Sequence, residues 1–163
     1  MDAAVELVAE LQSRHLTLAV AESLTGGLLA AAIVAVPGAS TVFSGGVVAY
    51  NTALKRSILQ VDAALLEHHG PVHPDVAAQM ALGVREALAI DGVRAGVGVA
   101  TTGVAGPGPQ DGHPAGTAYV AVALGENVQT LRLSLQGDRG AIRSAVVSES
   151  LELLRRMLRA DGQ

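Results

Sequence analysis

An apolar run at residues 16–21 stops at Glu22-Ser23-Leu24-Thr25-Gly26-Gly27 and gives way to an alanine-rich run at 28–36 that reads as a helix. No other feature restricts the fold as much. A strand that ends in a hydroxyl-bearing glycine turn and then enters a helix aims backbone N–H groups, and the positive end of a helix dipole, at whatever lies beyond the strand. Such a place suits a phosphate or a developing oxyanion.

The remaining chain keeps alternating in the same way. Asp2 is placed to cap a first helix whose apolar positions Ala4, Leu7, Val8 and Leu11 follow helical spacing, and a first strand follows at 17–21. Residues 46–50 predict a second strand, and Asn51 or Thr52 a cap for a short helix. Asp62 opens another helix that Gly70-Pro71 closes, and Pro74 starts a longer one with Val76, Ala77, Met80, Ala81, Val84 and Leu88 on its apolar side. Residues 93–100 read as a fully buried strand in which Gly96 and Gly98 permit close backbone approach. It runs into the loop Thr101-Thr102-Gly103-Val104-Ala105-Gly106-Pro107-Gly108-Pro109. Two late strands, 116–124 and 127–135, flank Gly125-Glu126 as a hairpin. Asp138 then caps a long last helix with Ile142, Ala145, Val146, Leu153, Leu154 and Met157 inward and a Glu152–Arg156 pair outside. The pattern predicts one α/β domain over 1–163, a three-layer α/β/α arrangement around a mixed, mostly parallel sheet of about five strands.

Half of the 163 residues are apolar, yet Phe43, Tyr50 and Tyr119 are the only aromatics, so the core must be layered from Ala, Val, Leu and Ile. With no cysteine, disulfides, thiolate nucleophiles and cysteine-ligated zinc are excluded. His68, His69 and His73 do not compensate, because Gly70 and Pro71 interrupt any helix that would put two imidazoles on one face, so no metal and no cofactor is expected. Asp2, Glu6 and Glu10 stand where a secretory signal would be basic, and no apolar run approaches the roughly 18 residues of a membrane span. A soluble cytoplasmic chain without membrane contact is the expectation. A net charge of −4 without a Lys/Arg cluster argues against nucleic acid as partner. An anionic small molecule would need local cations.

In an open α/β sheet, ligands sit beyond the carboxyl ends of the parallel strands, which should bring Ser23, Thr25, Tyr50, Lys55 and Thr102 to one crevice. Arg139 and Arg143 share a face at the start of the last helix, where two guanidinium groups can meet one phosphate. Each residue alone has a plainer reading: Ser23 or Thr25 as a helix cap, Gly26-Gly27 as close packing, Tyr50 as half-buried, Lys55 and the arginines as surface charges. There is no P-loop, no complete dinucleotide fingerprint after Gly96-Val97-Gly98 and no Gly-x-Ser-x-Gly elbow.

Read together, Ala21-Glu22-Ser23-Leu24-Thr25-Gly26-Gly27, Phe43-Ser44-Gly45-Gly46-Val47-Val48-Ala49-Tyr50-Asn51 with Lys55, Thr102-Gly103-Val104-Ala105-Gly106-Pro107-Gly108 and Gly137-Asp138-Arg139 with Arg143 resemble the CinA C-terminal domain family. The resemblance spans nearly the whole chain. It departs at Leu24, where the motif more often has Cys, and at Thr101, where an aliphatic residue more often precedes Thr-Gly. It implies a standalone nicotinamide-nucleotide amidohydrolase that converts nicotinamide mononucleotide to nicotinate mononucleotide and ammonia. It also implies that Ser23, Tyr50, Thr102 and Arg143 occupy functional positions, with Lys55 as an accessory cation.

On that reading Ser23 attacks or positions water, and Lys55 or Tyr50 takes a proton. Backbone N–H groups at Gly26-Gly27 or Thr102-Gly103 meet the oxyanion, and Arg143 with Arg139 holds the phosphate. A non-catalytic nucleotide-binding module stays open as the alternative. The many small apolar residues suit a homodimer interface.

Overall fold

The computed structural model describes residues 3–162, so the capping role expected of Asp2 lies outside the described residues. Helix α1 spans Ala3–Ser13 and strand β1 Leu18–Glu22, followed by α2 at Leu28–Val34 and a single 3-10 turn at Ala39–Thr41. Strand β2 is Phe43–Val48, then come three helices, α3 Thr52–Ser57, α4 Ala63–His69 and α5 Pro74–Ala87. The chain closes with β3 Val97–Gly103, β4 Thr117–Leu124, β5 Asn127–Ser134 and α6 Arg139–Asp161.

The five strands form one mixed sheet in the order β2-β1-β3-β4-β5. β1 pairs in parallel with β2 and β3, while β3–β4 and β4–β5 are antiparallel. The carboxyl ends of β1, β2 and β3 therefore point the same way, and every functional candidate from the first two-thirds of the chain is carried to that edge.

Period-two alternation sorts the strands by residue size. Leu18, Val20, Val97, Val99, Val120 and Val122 face a layer made by α1, α2 and α6, with Leu29, Ile33, Ile142 and Leu154 opposite them. Ala19, Ala21, Ala100, Ala121 and Ala123 face α5, where Val76, Met80 and Val84 cover them. Small side chains on that face let α5 lie close to the sheet. At Gly98 the approach is closest: a Cβ there would sit 1.9 Å from the Ala81 carbonyl oxygen.

Both ends of β2 and of β3 move from their sequence expectation, set by what they pair with. β2 starts at Phe43 and ends at Val48, because Leu18 pairs with Phe43, and a register shift then places Gly45 opposite Ala19. Tyr50 thus lies past the strand. β3 starts at Val97 because Asp91 and Gly92, both at positive φ, close a small turn that pairs Ile90 with Val93. It runs on to Gly103 because Thr101, Thr102 and Gly103 pair with Val120, Tyr119 and Ala118. Thr102 is therefore on a strand, not on a loop. The expected Glu152–Arg156 pair is also replaced: Glu152 bonds Arg155, which bridges to Glu6 on α1.

No helix among the described residues is long and apolar enough to cross a membrane. His73 caps α5 by accepting from the Asp75 N–H at 3.2 Å, and its ring lies 4.7 Å from that of His69. No group of His, Asp or Glu side chains among the described residues is arranged to hold a metal ion.

The tight α5 contact generates a stability prediction. Gly98→Ala is expected to lower stability by about 1–3 kcal/mol in urea denaturation, since helix and sheet must part to admit the methyl group. Gly108→Ala, with nothing within 4 Å of the added carbon, should stay within about 0.5 kcal/mol of the parent.

Candidate active site

Ser23 is the first residue after β1, and its backbone is held on both sides. Its N–H donates to the Thr101 carbonyl at 3.1 Å and its carbonyl accepts from the Gly26 N–H at 3.1 Å. The turn continues with Leu28 N–H on the Thr25 carbonyl at 3.1 Å, and Gly26 and Gly27 take positive φ as the chain reverses into α2. The amino end of α2, where an anion is expected, already holds one. The buried Glu22 carboxylate accepts from Leu29 N–H at 2.9 Å and Ala30 N–H at 3.0 Å, and the next amide, Ala31 N–H, bonds the Gly27 carbonyl at 2.8 Å. The protein's own carboxylate meets the helix dipole.

Lys55 comes from α3, whose Asn51 cap accepts from the Ala53 N–H at 2.9 Å. Its side chain passes inward and is only 1% exposed. The amine donates to the Ala49 carbonyl at 2.7 Å and lies 2.9 Å from Ser23 Oγ. Burial lowers its pKa from 10.5 to about 8, because a cation loses hydration there. A large share of Lys55 is then neutral near pH 8. In that form it keeps two N–H donors and gains a lone pair, so it can hold the Ala49 carbonyl and accept the Ser23 proton.

Thr102 faces the same cavity from the end of β3 and donates its hydroxyl to the Pro71 carbonyl at 2.7 Å. That bond ties the segment before α5 to the sheet and leaves the oxygen lone pairs as acceptors. Amides along β3 alternate in direction. Val97 N–H bonds Thr17 on the β1 side at 2.8 Å, Val104 N–H bonds Thr117 on the β4 side at 2.8 Å, and the Thr101 carbonyl takes Ser23 N–H on the β1 side. By the same alternation the Gly103 amide faces the β1 side, one step beyond the last ladder pair, Glu22 with Thr101. Gly103 itself lines the cavity wall.

The cavity has a volume of about 290 Å³ and is lined by Ser23, Lys55, Thr102 and Gly103 at its polar end, with Leu24, Val72 and the 104–110 loop as further walls. Its rim carries Tyr50 and Arg139. Arg139 donates to the Gly106 carbonyl at 2.8 Å and to the Tyr50 hydroxyl at 3.0 Å. The Tyr50 ring stands 59% exposed, so of the two proton acceptors considered for Ser23 it is Lys55 that is in contact.

Thr25, Gly26, Gly27 and Arg143 do not line this cavity. Thr25 is fully buried and shares a 2.8 Å hydrogen bond with Thr101 Oγ1 beneath the turn. Arg143 is half-buried and donates from Nε to the Leu24 carbonyl at 2.8 Å and from Nη2 to the Thr25 carbonyl at 3.0 Å. The pair of guanidinium groups expected on one phosphate is thus divided, with Arg139 at the mouth and Arg143 behind the turn. Of the strand-end loop expected over 101–109, all but Thr101 line the cavity. Ala49, Pro71 and Glu22 enter only through contacts that sequence spacing does not mark.

A family model described as the CinA C-terminal domain matches residues 1–158. A CinA-like protein of Frankia casuarinae is 49% identical over 148 residues, which cover 91% of this chain and 33% of that protein. Another CinA-like protein, from Parasynechococcus marenigrum, is 43% identical over 96% of this chain and 37% of its own length. The chain thus spans about a third of the length of the curated relatives it matches. Among solved structures, the competence/damage inducible protein CihA from Agrobacterium tumefaciens superposes with a TM-score of 0.88 at 33% identity, over 96% of this chain and 93% of that one. A CinA superfamily protein from Klebsiella pneumoniae reaches 0.89 at 33% identity, over 97% and 96%. With a match over nearly its full length and this five-stranded sheet in common, the chain belongs to the CinA C-terminal domain family.

Proposed function

We propose that this protein hydrolyses the carboxamide of nicotinamide mononucleotide, releasing ammonia and nicotinate mononucleotide, with Ser23 as nucleophile and Lys55 as its base. The observation that carries the proposal is the buried amine 2.9 Å from Ser23 Oγ at the floor of an open cavity. A module that only binds nucleotide has no use for a lysine kept partly neutral at a cost in stability, and this favours catalysis over the binding-only alternative.

In the proposed cycle Lys55 Nζ takes the Ser23 proton as Oγ attacks the amide carbon. The oxyanion that forms is met by the Gly103 N–H, in a position where one donor is worth about 10²- to 10³-fold in rate. Lys55 then returns its proton to the departing nitrogen, and ammonia leaves an ester on Ser23. Water attacks that ester, Lys55 accepting its proton and handing it to Oγ as the C–Oγ bond breaks; this restores the serine, and the acid released gives its proton to solvent to become the carboxylate. Thr102 orients the amide through its oxygen, and Arg139 at the rim receives the phosphate, exchanging its bond to Tyr50 for one to the anion.

The assay that tests the reading is ammonia release from a panel of nicotinamide nucleotides and nucleosides, with the mononucleotide expected to turn over fastest. Ser23→Ala should lose at least about 10³-fold in rate with an unchanged melting curve, and an active variant would remove Ser23 from its role. Arg139→Ala should raise KM for the mononucleotide much more than for the dephosphorylated nucleoside. Equal effects on both would refute a phosphate contact.

Lys55 adds a pH prediction. The kcat/KM of the wild-type chain should climb with a midpoint near 8, where the buried amine loses its proton. Stability carries the matching sign. Between about 8 and 10.5 the unfolded chain still holds a proton that the folded chain has shed, so stability rises with pH across that window. Below it, burial of the cation costs roughly 3 kcal/mol. Lys55→Met is therefore expected to be inactive yet more stable than the parent at pH 7 in urea denaturation, with the advantage gone by pH 10.5.

A further inference from the structure

The nucleophile's turn is held by groups that never reach the cavity. The peptide joining Thr25 to Gly26 is bonded at both ends: its carbonyl accepts from Arg143 Nη2 at 3.0 Å, and its N–H donates to the Ser23 carbonyl at 3.1 Å. One residue earlier, the Leu24 carbonyl accepts from Arg143 Nε at 2.8 Å. Gly26 makes room for this arrangement, since a Cβ there would stand 3.2 Å from Nη2 in a backbone at φ +57°. The Nε–Nη2 edge of the guanidinium thus meets the turn where any other residue would place a side chain. A cation on the Thr25 carbonyl polarises that peptide and strengthens the bond its N–H makes to Ser23. With Ser23 itself bonded to Thr101 and Gly26, Arg143 braces the two residues that follow it through their carbonyls.

We infer that Arg143 is a positioning residue: through the Leu24 and Thr25 carbonyls it holds Ser23 in line with Lys55, and it sets turnover without touching substrate. The inference rests on the reading of Ser23 and Lys55 as the reacting pair. Three roles for this arginine leave different traces. A phosphate contact changes KM for the nucleotide. A charge acting on Lys55 moves the midpoint of the pH profile, whereas burial is what lowers that amine's pKa. A clamp on the turn changes kcat alone.

The test uses Arg143→Ala, Arg143→Gln and Arg143→Lys in the full chain, with ammonia release and labelling of Ser23 by an uncharged fluorophosphonate as separate readouts. Arg143→Ala should lose about 10²-fold in kcat, the scale of a misplaced reacting group. Its KM should hold within about twofold, its pH midpoint should stay in place, and its Ser23 labelling should slow by a similar factor. Added methylguanidinium should restore part of the loss. Lysine, whose ammonium is a point charge without the planar fork, should fall between wild type and alanine.

A rise in KM at unchanged kcat, or labelling as fast as wild type, overturns the inference. If Arg143→Ala melts early, the Arg143→Lys variant at a temperature where it is folded supplies the same comparison. Wild-type chain that is labelled at Ser23 but releases no ammonia from the mononucleotide refutes the substrate, and labelling still decides the role of Arg143. Wild-type chain that is never labelled overturns both.

Discussion

One backbone hydrogen bond organises this protein's chemistry: the Ser23 N–H on the Thr101 carbonyl, 3.1 Å long and joining residues 78 apart in the chain. It extends the parallel pairing of β1 and β3 by one residue beyond Glu22 with Thr101. Everything reactive is measured from that point. The next amide on the same side of β3 belongs to Gly103, the next side chain on the cavity side to Thr102, and the residue it fixes is the serine that Lys55 contacts. Because the bond belongs to the central strands, covered on both faces by apolar clusters, the site inherits the rigidity of the core.

Charge is handled by separation. Glu22 neutralises the amino end of α2 from within, with both carboxylate oxygens on backbone amides. Arg143 is spent on carbonyls behind the turn, and Arg139 stands at the mouth with hydrogen bonds to a loop carbonyl and a phenol. Among the described residues no acid pairs with Lys55, and burial lowers its pKa to about 8. An acid there would have kept the amine charged and useless as a base. The same burial that readies Lys55 weakens the fold below that pH, which is a usual relation between a reactive site and its scaffold.

Much of the fold was legible because it depends on local physics. Asn51, Asp62, Pro74 and Asp138 mark helix starts through capping and fixed φ, and each helix begins where those residues say. The hairpin at Gly125-Glu126 follows from spacing, and the ladder joins Leu124 to Asn127 across it. Boundaries set by pairing partners were harder to see. Phe43-Ser44-Gly45-Gly46 has weak strand character by itself and is a strand because Leu18 and Ala19 lie beside it.

The sequence by itself determined the layer order, the Ala, Val, Leu and Ile core, the hydroxyl-and-glycine turn after β1, and the set of residues that gather at one sheet edge, since periodicity and turn chemistry are short-range. Tertiary structure alone decided how that set divides. Lys55 rather than Tyr50 contacts Ser23, the Glu22 carboxylate takes the α2 amides, and Arg143 lies behind the nucleophile while Arg139 stands before it. Those choices turn on angstrom-scale distances between segments far apart in the chain, and residue spacing carries no record of them.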